Sequence, residues 1–172
     1  MVTTTAPQTP QAQIEAAVWT ALEAVPDPEI PAVSVVEMGM IRQVDIKGDL
    51  ARVVVLPTFT GCPAIGIIQQ DVARAVGAVA GVSKVDVETS FDPPWTSDRI
   101  STVGRAKLRN FGLAPPDAGT VLIADIGLPK LATCPFCGST DTRNDSLFGP
   151  TPCRAAYYCN ACRNPFEQFK QV

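Results

Sequence analysis

Ile14, Val18, Ala21, Leu22 and Val25 recur at three- and four-residue intervals, so residues 10–25 are predicted to form an amphipathic helix. Thr9 and Pro10 supply an N-cap followed by proline at the first helical position, and Pro26 and Pro28 end the run. After the stiff acidic loop DPEIP (27–31) the period changes. Val33 to Val36 read as a short strand, and Val44 and Ile46 alternate with Gln43, Asp45 and Lys47 as a half-buried one. Lys47-Gly48-Asp49 makes a turn, and Leu50 to Phe59 returns as a second strand, giving a hairpin. Ile65, Ile68, Val72, Val76 and Val79 restore the helical period, Gly81 closes that helix, and Val82, Val85 and Val87 alternate in a further strand. Helix, strands, helix, strand is the order of an α+β fold, here a small mixed sheet covered by helices.

The proline–aromatic stretch FDPPW (91–95) leads into a third helix predicted from about Ser97 to Asn110. Ile100, Val103, Leu108 and Phe111 fall on one side of it, and Gly112 is placed to stop it. Trp95 is expected to pack over a domain edge. APPDAGT (114–120) reads as a linker, and beyond it the composition shifts, with five of the six cysteines between 134 and 162. The expected organisation is an α+β domain with an appended helix over 10–114, a linker over 115–130, and a cysteine-rich module over 131–172.

Composition narrows the chemistry. Hydrophobic residues make up 46% of the chain and aromatics 6%, so the core must be aliphatic. The net charge of -3 and the absence of any basic stripe argue against a nucleic-acid partner, whose affinity would rest on phosphate neutralisation. There is no histidine, which removes imidazole acid–base catalysis, Cys–His nucleophiles and histidine metal ligands. The opening MVTTTAPQTP has neither a basic nor an apolar signal region, and no apolar run approaches the ~18–20 residues of a membrane span. A cytoplasmic protein without a membrane partner is expected. In that compartment thiols stay reduced, and six cysteines point to metal or redox chemistry rather than to disulfides.

Cys134-Pro-Phe-Cys137 and Cys159-Asn-Ala-Cys162 are two C-x2-C knuckles with 21 residues between them, the spacing of a zinc ribbon. Thr140–Leu147 and Ala155–Tyr158 supply candidate strands between them. About forty residues hold too little core to fold alone, and a structural Zn2+ on four thiolates supplies the missing stability. Four thiolates also suit iron, and the remaining alternatives are unrelated buried cysteines or one knuckle acting as a redox pair. Cys62, in TFTGCPAIG, falls between a strand and a helix that Pro63 opens. As an N-cap its thiol pKa would be lowered, favouring a thiolate that binds metal or attacks electrophiles. The other reading is a small buried hydrophobe. Cys153 is not needed for a four-coordinate site. It is either a structural thiol under the ribbon or a second functional thiol that meets Cys62 in space. Asp27 and Glu29 are candidates for metal ligation or an acidic rim, although surface loops often carry such residues without a role.

DPEIPAVSVVEMGMIRQV (27–44) followed by PTFTGCPA (57–64) resembles the signature of the SufT-like iron–sulfur assembly domain. PPWTSDRIS (93–101), GRAKLRNFGLAPP (104–116) and the cysteine-rich tail further resemble the D (or J) subunits encoded with the phenylacetyl-CoA 1,2-epoxidase of aerobic phenylacetate breakdown. The resemblance runs from residue 10 to 170. It implies an accessory protein rather than an enzyme, one that helps build or maintain a metal centre in the di-iron oxygenase component or the flavin/iron–sulfur reductase. It places the family's reactive cysteine at Cys62 and its acidic pair at Asp27 and Glu29, with iron or a labile iron–sulfur cluster as cargo. A chain without histidine cannot itself supply the Glu-x-x-His pairs of a carboxylate di-iron centre. The competing expectations are a non-catalytic structural subunit of the oxygenase complex and a thiol-redox enzyme.

Overall fold

Helix α1 (Pro10–Glu23) lays Val18 and Leu22 against the sheet as its fully buried face. The computed structural model describes residues 10–116 and 131–171, so the Thr9 cap and positions 117–130 of the expected linker lie outside the described residues. Strands β1 (Ile41–Lys47) and β2 (Leu50–Val55) form the expected hairpin, with Gly48 taking the positive φ of +63° that its turn requires. Helix α2 (Ile65–Gly77) then crosses to β3 (Lys84–Thr89), which pairs parallel to β2. The three-stranded mixed sheet therefore has the order β1-β2-β3. Ala51, Val53 and Val55 of the central strand and Ile68, Val72 and Val76 of α2 form the aliphatic core that the sequence required.

Three local expectations fail for identifiable reasons. Val33–Val36 is not a strand: Ser34 makes a single bridge to Pro26, and the segment closes in turns through Met38 N–H to Ser34 O and Gly39 N–H to Val36 O. Ser34 and Glu37 act here as a reciprocal capping pair. The Ser34 hydroxyl accepts from Glu37 N–H at 3.1 Å, and the Glu37 carboxylate accepts from Ser34 N–H at 2.9 Å. Strand β2 stops at Val55 rather than Phe59, because Pro57 has no N–H to continue a ladder.

The third helix is broken into a 3-10 turn (Ser97–Arg99) and α3 (Thr102–Asn110). Ile100 is extended between them, and Ser101 caps α3 by accepting from Gly104 N–H at 2.9 Å. Ile100 and Leu108 are buried as expected, but Val103 and Phe111 face solvent. Gly104 occupies the inward face instead, where a Cβ would lie 2.7 Å from Glu37 O.

Strands β5 (Thr142–Ser146), β6 (Arg154–Cys159) and β7 (Pro165–Phe169) form an antiparallel meander, the last strand being one that sequence reading missed. A two-residue strand that follows α3, β4 (Leu113–Ala114), pairs parallel to β7 and completes the order β4-β7-β6-β5. Ala114 packs in the small ribbon core beside Cys134, Cys159, Tyr157 and Phe166. In the other direction, Cys153 and Phe169 of the ribbon belong to the large core of the first module. Trp95, expected over a domain edge, is buried at this seam, where its indole N–H donates to Met38 O at 2.9 Å.

Candidate functional site

The two knuckles are built alike. Gly138 N–H donates to Cys134 O and Arg163 N–H to Cys159 O, both at 2.9 Å. The residue just after each second cysteine takes a positive φ, +75° at Gly138 and +59° at Arg163. Each turn so formed presents two sulfurs on one side. The four Sγ atoms of Cys134, Cys137, Cys159 and Cys162 all lie within 4.8 Å of one another. Cys134 and Cys162 are 3.7 Å apart, and Cys137 and Cys159 are 3.6 Å apart. An ion with metal–sulfur bonds of about 2.3 Å in a tetrahedron needs sulfurs about 3.8 Å apart, so the set fits a four-thiolate metal.

Outer partners are in place as well. The Asn164 side-chain amide donates to Cys162 Sγ at 3.5 Å and leads the causes that pull this thiol down to about 6. At Cys137 the Ser139 backbone N–H opposes the rise, but burial and the three neighbouring sulfurs push its thiol up to about 12. A metal bound by the four thiols displaces their protons, so its affinity rises with pH.

The second constellation lies at the seam. Cys62 is not an N-cap. Helix α2 starts at Ile65, its cap position is Ala64 with no side-chain bond, and Cys62 sits in the preceding turn, donating its N–H to Phe59 O at 3.1 Å. Its thiol pKa is raised, opposite to the expectation from a helix N-terminus. Burial is the main cause and outweighs the Ala64 N–H, and the charges of Glu29, Cys153 and Asp27 add to the rise.

Asp27 is nearly buried, which pushes its carboxyl up, although Oδ1 accepts from Glu29 N–H at 2.8 Å and Ile30 N–H at 2.9 Å. Glu29 is raised first by burial and then by Asp27. Cys153 is buried and raised by burial, against a lowering contact from Thr151 Oγ1 at 3.1 Å. Electrostatics thus couple Cys62 to Cys153, Asp27 and Glu29, none of which belongs to the four-sulfur set of the ribbon.

Arg154 is the residue that sequence reading missed. It donates through Nη2 to Glu29 O and through Nη1 to Glu167 Oε2, both at 3.0 Å, and so ties the ribbon to the acidic loop. Nothing in the sequence marks one arginine on an alternating strand for this task.

Residues 15–88 match the family described as "Iron-sulfur cluster assembly protein", and residues 122–170 match the "PaaD zinc beta ribbon domain". The first match holds Asp27, Glu29 and Cys62; the second holds all four knuckle cysteines and Cys153. The chain is 38% identical over 155 residues to a protein of Escherichia coli K12, the D subunit of a "Putative 1,2-phenylacetyl-CoA epoxidase", covering 90% of this chain and 92% of the relative. It is 40% identical over 81 residues to an Fe-S protein maturation auxiliary factor of Porphyromonas gingivalis, covering 46% of this chain and 76% of that one. The crystal structure of a domain of unknown function, DUF59, from Bacillus anthracis superposes with a TM-score of 0.53 at 31% identity, covering 57% of this chain and 93% of that chain. Among the described residues no helix is long and apolar enough to cross a membrane.

Proposed function

This chain belongs to the family of the phenylacetyl-CoA epoxidase D subunits, an iron–sulfur assembly domain joined to a zinc ribbon, and on that premise we propose that it is an accessory maturation factor for the epoxidase complex. It delivers iron or an iron–sulfur cluster to the reductase or the di-iron oxygenase component and performs no step of the epoxidation. Cys62 is the delivering thiol, Asp27 and Glu29 are its acidic partners, and the four ribbon cysteines hold a structural zinc.

The observation that carries this reading is the division of labour among the six cysteines. Four fit one tetrahedral ion. Cys62 is left out of that set and lies instead in the assembly-family segment, within reach of the charges of the DPEIP loop. A closed four-thiolate shell suits a resident metal, whereas a thiol outside it, with few ligands about it, suits cargo that must leave again.

The experiment that separates maturation from a purely structural role is removal after assembly. Epoxidase produced with this protein and then freed of it is expected to keep its activity and its metal. Epoxidase produced without it is expected to be iron-deficient. Loss of activity on removal from a fully metallated complex would favour the structural role.

A further inference from the structure

Arg154 and the ribbon ligand Cys159 are the first and last residues of β6, about 17 Å apart along an extended strand. Strand β6 pairs with β7 from Tyr158 opposite Pro165 to Arg154 opposite Phe169. The second knuckle is the turn between them, closed by Cys159 N–H to Asn164 O at 3.0 Å. The metal site therefore sits at the turn of this hairpin. Its open end carries contacts with the first module: Phe169 on the Trp95 ring, Glu167 and Gln168 paired with β4, and the Arg154 guanidinium on Glu29 O at 3.0 Å. The ribbon's own core has seven buried residues, of which Cys134 and Cys159 belong to the four-sulfur set and Ala114 comes from the first module. So small a core leaves the order of the hairpin to the metal.

The Arg154 contact reaches the acidic loop itself. Nη1 is anchored on Glu167 Oε2 of β7 at 3.0 Å, so the guanidinium fork bridges the hairpin to the loop. Glu29, whose carbonyl it holds, donates its own N–H to Asp27 Oδ1 at 2.8 Å, and Ile30 N–H donates to the same oxygen at 2.9 Å. Fixing Glu29 O therefore fixes the turn that carries both carboxylates. The Arg154 charge also lowers the pKa of each, against their burial. Nε is buried without a hydrogen-bond partner among the described residues, so docking imposes this placement at the cost of a bond that water would supply.

We propose that Arg154 is a positioning residue that transmits the metal state of the ribbon to the acidic loop. While the four thiolates hold zinc, β6 and β7 keep the guanidinium on Glu29 O; when zinc leaves, the grip opens and the turn at Asp27 loosens. The ribbon metal is then a control on the delivery site as well as a staple. The proposal goes beyond the maturation reading and rests on it only for the use of the loop. Loop order is measured without cargo or recipient, so the two fail separately.

The test follows amide hydrogen exchange at Glu29 and Ile30 in the full-length protein, zinc-replete and after chelation, for wild type and Arg154→Met. Methionine keeps an unbranched stem for packing and removes every donor. In wild type, zinc removal should speed exchange at both amides about tenfold or more. Zinc-replete Arg154→Met should already exchange at the faster rate while its zinc content and the β6 amides stay as in wild type. Chelation should then add little, because both perturbations act through one contact. Arg154→Lys keeps the charge but not the fork, and covers the case in which methionine loosens β6 itself. Its response to chelation should be smaller than that of wild type. Additive effects of chelation and substitution, or Glu29 and Ile30 amides that ignore zinc in wild type, would overturn the proposal. A full wild-type response to chelation in Arg154→Lys would overturn it as well.

Discussion

Trp95 and Phe169 meet edge to face, with ring centroids 5.7 Å apart and planes inclined by 61°. One ring comes from the loop after β3 and the other from the end of β7, so this contact joins the assembly domain to the ribbon. Phe169→Ala is expected to cost about 3–5 kcal/mol, as a buried aromatic truncation does. The loss should fall on docking and not on the metal. Thermal unfolding followed by tryptophan fluorescence should shift Trp95 to a lower, earlier transition while metal analysis still finds one zinc per chain. An unshifted transition would show that the seam does not depend on this pair.

The ribbon's stability should track its metal. Cys134→Ser or Cys162→Ser removes one of four bonds in a site whose binding free energy is also folding free energy, so the zinc should be lost and residues 131–171 should become protease-sensitive. The sheet of β1 to β3 has an aliphatic core built chiefly from its own module, with only Cys153 and Phe169 contributed by the ribbon, and should survive. Circular dichroism and limited proteolysis read both outcomes. A variant with all four cysteines replaced by serine that kept a protease-resistant tail would contradict the ribbon's dependence on metal.

Glu37 adds a pH-dependent contact between the turn after the DPEIP loop and α3. Burial raises its carboxyl, but Lys107 Nζ at 2.6 Å and Ser34 N–H at 2.9 Å outweigh it and hold the folded pKa below the ordinary 4.5. A depressed carboxylate stabilises the fold above its unfolded pKa, and that stabilisation is lost as pH falls through the folded value. Urea unfolding of wild type and Glu37→Gln should therefore differ at neutral pH, wild type being the more stable; the difference should begin to shrink as pH falls past the ordinary carboxylate value of 4.5 and vanish only below the lower folded pKa. A difference that persisted undiminished in acid would assign the effect to packing instead.

Cys62 should be slow to alkylate. Its thiol is raised chiefly by burial and further by Glu29, Cys153 and Asp27, so the thiolate is scarce at neutral pH. In the zinc-loaded protein its iodoacetamide rate should rise with pH to a midpoint above that of an ordinary cysteine. Asp27→Asn should bring that midpoint down. A midpoint below the ordinary value would restore the activated thiolate that its place before a helix had predicted.

Much of this arrangement is legible in the chain, and the failures have physical causes. The periodicity of Ile14 to Val25 and of Ile65 to Val79 marks the helices because each buries one stripe on the sheet. The paired knuckles mark the metal centre because ligand spacing is local. Val33–Val36 looked like a strand since apolar residues in short runs do not reveal whether their hydrogen bonds go to a neighbouring strand or back into turns. At the break after Ile100, Ser101 N–H donates to Glu37 O at 2.9 Å, a contact across 64 positions of sequence that no local pattern records. The seam is of the same kind. Cys153 beside the DPEIP loop, Arg154 on Glu29 O and β4 added to the ribbon sheet are all products of docking, and each residue alone reads as ordinary surface or core.

The most direct test of the central claim is the iron content of the epoxidase components when they are coexpressed with wild-type or Cys62→Ser protein. Cys62 lies in a turn and caps no helix, so serine should leave the fold and the ribbon zinc unchanged while removing a soft ligand. With wild type, the reductase and di-iron components are expected to emerge metallated and active together. With Cys62→Ser, iron content and epoxidase activity should fall in parallel although the variant still carries one zinc. Fully metallated, active partners in the presence of Cys62→Ser would contradict the account and reduce Cys62 to a packing residue.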